Sequence, residues 1–88
     1  QILGHDTSLM LVRVQFDTGA ISPAHSHPHQ QVTYVEKGIF EVTIGEETQV
    51  LRQGDCFILP TEVPHGARCL EAGVLIDSFS PAREDFLQ

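Results

Sequence analysis

The chain has no tryptophan, one tyrosine and one methionine, and only five lysines and arginines against twelve aspartates and glutamates. The resulting net charge of −7 opposes nonspecific attraction to nucleic acid or to an anionic lipid surface, so neither is an expected partner. Long apolar runs are missing. Val74-Leu75-Ile76 and Phe57-Ile58-Leu59 are strand-sized and far short of a membrane span. Gln1-Ile2-Leu3-Gly4 carries no basic stretch ahead of an apolar core, so no export signal is visible and a cytoplasmic location is expected. Cys56 and Cys69 leave room for one disulfide, but thiols in apolar, strand-like contexts read first as buried small hydrophobes. A helical period is missing too: nothing before Pro81 repeats at helical spacing, and Arg83–Leu87 offers one turn at most.

What remains is globular. With 41% apolar and 19% charged residues in 88, the chain reads as one domain over residues 1–88, its N-terminus open to truncation. A chain this short buries roughly 60% of its unfolded surface, so a metal, a closed sheet or a partner subunit is expected to help hold it. Met10, Val12, Val14 and Phe16 alternate with Leu11, Arg13 and Gln15, the period of two of a half-buried strand. Comparable runs follow at 32–37, 39–44, 48–51, 56–59, 67–70 and 74–79, separated by Gly38, Gly45, Gly54, Pro64 and Gly73. Short strands punctuated this regularly predict an all-β sandwich or barrel.

Four of the five histidines fall in two places, His25-Ser26-His27-Pro28-His29 and Pro64-His65-Gly66. Residues two apart on a strand share a face, so His25 and His27 can aim both imidazoles at one point. Gln31 can add an amide oxygen from the next strand, and the segment from Gly54 to Pro60 delivers His65 from elsewhere in the sheet. Three imidazole nitrogens and one amide oxygen make a first shell for a divalent transition metal. Nickel, zinc, manganese, iron and copper all suit such a set. Gln30 competes with Gln31, His29 reads as a rim group, and His5 as a solvated one.

The spacing Gly19-x5-His25-x-His27-x3-Gln31-x6-Gly38 resembles the first cupin motif, and Gly54-x5-Pro60-x-Glu62-x2-His65 the second. The resemblance spans nearly the whole chain. It implies a double-stranded β-helix, or jelly-roll barrel, with the metal inside and a homodimeric assembly. Three positions depart from the motifs: Gln31 stands where Glu is usual, Glu62 where Gly is usual, and Cys69 where Asn is usual. A neutral ligand in place of an anionic one leaves more positive charge on the site, which favours Lewis-acid chemistry over oxygen chemistry.

The segments His25–Gln31 and Leu70–Phe86 are similar to those of the KdgF family of single-domain cupins. That resemblance implies ring opening of 4,5-unsaturated uronate monosaccharides to linear 4-deoxy-5-keto-uronates. It also implies His25, His27, Gln31 and His65 as metal ligands and an Asp-x-Phe-x3-Arg set of active-site residues, matched by Asp77, Phe79 and Arg83. In these roles Asp77 would carry a proton, Arg83 clamp the substrate carboxylate and Phe79 pack on the sugar's apolar face. Plainer readings stand beside them. Asp77 can be one half of a structural ion pair with Arg13, Arg68 or Arg83, Phe79 an ordinary core residue, and Arg83 a solvated charge. Tyr34 and Phe40 fit strand packing, and Glu46-Glu47 a solvated hairpin turn. A cupin dioxygenase using iron or copper, and a nonenzymatic small-molecule-binding cupin, are the competing functions.

Overall fold

A computed structural model describes residues 1–83. They form β1 (Ile2–His5), β2 (Met10–Phe16), β3 (Ile21–His25), β4 (Gln30–Ile44), β5 (Glu47–Arg52), β6 (Cys56–Leu59) and β7 (His65–Ser80). All pairings are antiparallel, in the order β1-β2-β7-β4-β5, with β3 on β7 and β6 on β4. The all-β jelly roll expected from the sequence is therefore the fold observed. The turn anticipated for Arg83–Leu87 lies, beyond Arg83 itself, outside the described residues.

Two of the expected strand breaks are not breaks. Gly38 and Gly73 sit inside the long strands β4 and β7, which bend together at this point and pass from one layer to the other. The N-terminal half of β4 and the C-terminal half of β7 pair with β6 and β2, while their other halves pair with β5 and β3. Only glycine permits the bend. Gly38 has φ +88°, and a Cβ there would lie 2.6 Å from the Glu71 carbonyl oxygen; a Cβ on Gly73 would lie 2.8 Å from the Gly38 Cα. β1 and β3, absent from the sequence-based expectation, are short and exposed along nearly their whole length, so neither shows the alternation that marks a half-buried strand.

The inner faces interleave in registered rungs. Met10, Phe79, Gln31 and Leu59 form one across β2, β7, β4 and β6; Val12, Asp77, Thr33 and Phe57 form the next. Val35, Phe40, Val42, Leu51, Cys69 and Leu75 make one buried cluster, and Met10, Val12, Phe79 and Ala82 a second. Phe40 meets Phe16 edge-on at 5.4 Å between ring centroids. Both cysteines are free. Cys69 is buried but Cys56 is exposed, so the reading of both thiols as core residues holds for Cys69 alone. Tyr34 likewise faces outward, whereas Phe40 is core, and Glu46 and Glu47 stand exposed at the hairpin as expected. Among the described residues no helix is long and apolar enough to cross a membrane.

Candidate metal centre

β3 ends at His25, so His27 is not on the strand with it as the spacing had indicated. His27 nonetheless turns inward. His27 precedes Pro28, and the residue before a proline favours extended backbone. The His27 carbonyl accepts the Glu62 N–H at 2.9 Å, tying this loop to the one that leads to His65. His65 opens β7 opposite His25 on β3. Ring centroids lie 4.4 Å apart for His25 and His65, 4.8 Å for His27 and His65, and 5.8 Å for His25 and His27. The three offer ligand nitrogens that all lie within 4.8 Å of one another.

The tautomers are decided by backbone carbonyls. His25 Nδ1 donates to Pro23 O at 2.8 Å, His27 Nδ1 to His29 O at 3.1 Å and His65 Nδ1 to Val63 O at 3.1 Å. A carbonyl can only accept, so each Nδ1 carries a proton, and in the neutral imidazole each Nε2 then presents a lone pair. Burial, above all, pushes the His65 imidazole below its usual pKa, aided by His25, His27 and Arg83, which keeps it neutral and able to ligate.

Gln31, the fourth expected ligand, lies on the first rung, beside His27. Its Nε2 donates to Thr33 Oγ1 at 2.8 Å and to Asp77 Oδ1 at 3.4 Å, so its Oε1 faces His27 Nε2 at 3.0 Å. Two acceptors facing at that distance repel unless a cation lies between them. Ligands about 2.1 Å from one ion and at right angles stand about 3.0 Å apart, so the contact has the spacing of two donors on one metal. Three imidazole nitrogens and an amide oxygen therefore fit a divalent transition metal, and the choice among nickel, zinc, manganese, iron and copper is not written in the donor set.

Asp77 lies on the next rung beside this cluster. Thr33 Oγ1–H donates to its Oδ1 at 2.7 Å. Flanked by Val12 and Thr33, the carboxyl is raised above the usual carboxylate range by burial, with Thr33, Gln31, Arg83 and His27 opposing the shift. An ion pair with Arg13 or Arg68 is not its role, since Arg13 pairs with Glu36 at 3.2 Å and Arg68 with Glu41 at 3.3 Å. Phe79 meets the edge of His27 at 5.9 Å and carries the Arg83 guanidinium over its ring at 5.2 Å. It is buried in the second core cluster and also lines the site, so packing and site wall are one residue. A cavity of about 420 Å³ opens onto His25, Gln31, His65, Asp77, Phe79 and Arg83.

A family profile described as Cupin domain matches residues 12–78. The chain belongs to the cupin family. Over 89 aligned positions, 99% of this cupin and 81% of the relative, it is 45% identical to the pectin degradation protein KdgF of Dickeya dadantii (strain 3937). A solved RmlC-like cupin from Shewanella frigidimarina NCIMB 400 is 50% identical with a TM-score of 0.96, covering 98% of this cupin and 78% of that chain. KdgF from a Halomonas species is 43% identical with a TM-score of 0.95, covering 98% and 82%. This is a KdgF-like cupin.

Sequence reasoning about this cupin passed over Thr33. The signal was available: it follows Gln31 by two residues on the same strand and so shares its inward face. His29 is half-buried against His27 and Phe79, with ring centroids 5.5 and 6.5 Å away, and His5 is exposed. Glu62, at the usual glycine position, holds φ +66° in the left-handed region.

Proposed function

We propose that this cupin is a metal-dependent isomerase that opens the rings of 4,5-unsaturated uronate monosaccharides. The observation that carries the reading is the carboxyl of Asp77, burial-raised in its pKa, one rung from Gln31 and in one cavity with His25 and His65. Its likeness to the pectin degradation protein KdgF supports the substrate class.

A bound divalent metal supplies Lewis-acid stabilisation of negative charge on oxygen, with no change of oxidation state. Asp77 accepts the proton of the anomeric hydroxyl. As the C1 carbonyl forms, the C1–O5 bond breaks and its electron pair passes to the ring oxygen, which becomes the enolate of an α-keto acid. Asp77 then returns the proton to C4, so the product is an isomer and nothing is gained or lost. A carboxyl held above its usual pKa suits both halves of that exchange. Arg83 holds the substrate carboxylate, and the Phe79 ring orients Arg83 by stacking beneath it. Phe57, Leu59 and Leu75 line the cavity and keep water from the enolate.

A homodimer in the cytoplasm is the setting we propose. Leu11, Val32, Tyr34 and Ile58 stand exposed on the outer face of the β2-β7-β4-β6 layer, an uncovered apolar surface that a second subunit would bury. Light scattering reads the mass directly.

The deciding experiment follows the ultraviolet absorbance of 4,5-unsaturated galacturonate with metal-loaded protein beside a protein-free control. Faster loss that chelation abolishes is expected. A rate equal to the control removes the isomerase reading, and oxygen uptake under the same conditions would point to the dioxygenase.

A further inference from the structure

Thr33 is fully buried, at 0% exposure, with its hydroxyl between Gln31 and Asp77. A hydroxyl donates one hydrogen. Thr33 donates it to Asp77 Oδ1 at 2.7 Å and therefore receives the Gln31 Nε2–H at 2.8 Å on its oxygen. The direction of the first bond dictates that of the second, and the second dictates which end of the Gln31 amide faces the histidines. Thr33 and Asp77 are direct cross-strand partners of β4 and β7, so the register sets this order of contacts.

The alternative arrangement is easy to identify. If the Gln31 amide turned over, its Nε2–H would donate to the lone pair on His27 Nε2, and the 3.0 Å contact between two acceptors would become an ordinary hydrogen bond. That flipped amide would satisfy His27 without a metal and would present a nitrogen with no free lone pair where a ligand is needed. It would also turn the amide oxygen toward Asp77, acceptor against acceptor.

Resting on the metal-site reading above, we infer that Thr33 is a positioning residue that holds the Gln31 amide oxygen in the metal-binding direction against the flip that would pair it with His27. The site is thereby kept ready for a cation at the expense of the metal-free state.

The test measures nickel(II) affinity by calorimetric titration of the metal-stripped protein. Thr33→Val keeps the shape of the side chain and removes the hydroxyl; it is expected to weaken nickel binding about tenfold or more, while Thr33→Ser stays within about twofold of the wild type. Gln31→Glu provides the control for orientation, because a carboxylate presents oxygen at either end. In that background Thr33→Val is expected to cost no more than about twofold. Should Thr33→Val not fold, Thr33→Ala enters the same two comparisons. Wild-type affinity in Thr33→Val, or an equal loss in both backgrounds, overturns the inference and leaves the metal site standing. A wild type that takes up no nickel removes the metal-site reading itself and the inference with it.

Discussion

His27 Nε2 and Gln31 Oε1 face each other at 3.0 Å as two acceptors. Carbonyl partners fix the His27 tautomer from one side, and Thr33 and Asp77 fix the amide from the other, so neither group can relieve the contact by itself. In the proposed metal centre a cation would share both lone pairs.

Metal loading should therefore stabilise the fold. A metal held at a hundred times its dissociation constant adds about 2.7 kcal/mol, which for a domain of this size raises Tm by about 10 °C or more. Differential scanning calorimetry of chelated and reloaded protein checks this. His65→Ala should abolish the gain and lower the bound metal measured by elemental analysis; unchanged stoichiometry would contradict the ligand set.

Asp77→Asn should trade activity for stability. Burial raises the folded-state pKa of Asp77 above its unfolded value, so its contribution to stability is fully present below the unfolded pKa and is lost as pH rises through the folded one. Metal-free Asp77→Asn is thus expected to be more stable than the wild type near neutral pH, with the difference closing as both are taken to acid. Denaturant titrations across that range test the sign. Ring opening should fall by about a hundredfold or more with metal retained, and wild-type turnover would remove Asp77 from proton transfer.

Gly73→Ala should be severe. Its methyl would run into the Lys37 carbonyl and the Gly38 Cα where β4 and β7 bend together, and both obstacles are backbone. We expect a loss of about 3 kcal/mol or more in urea unfolding. A variant as stable as the wild type would mean that the two strands can separate at the bend.

Glu62→Gly should help. A non-glycine residue at φ +66° carries strain that glycine relieves, offset in part by the greater freedom of glycine in the unfolded chain. The expected net gain is about 0.5 kcal/mol, or about 2–4 °C in Tm. The N–H to His27 O survives the change, so metal binding should not move; lower affinity would show that the Glu62 side chain acts on the site.

The sequence alone determined the fold class and the two histidine clusters, because strand periodicity and ligand spacing are local properties that a one-dimensional pattern records. Asp77 and Phe79, two apart on one strand, share a face for the same reason, and it was the fold that turned this face inward. Tertiary structure decided what the pattern could not contain. Gly38 and Gly73 read as turns in sequence, yet their close approach makes them the paired bend of two continuous strands, a fact about two segments at once. Thr33 gained its meaning only when register set it opposite Asp77, and Arg13 and Arg68 lost theirs as partners of Asp77 when Glu36 and Glu41 came within reach. The polarity of the Gln31 amide likewise follows from hydrogen bonds between strands far apart in the chain, and a donor's direction exists only once its acceptor has been brought to it.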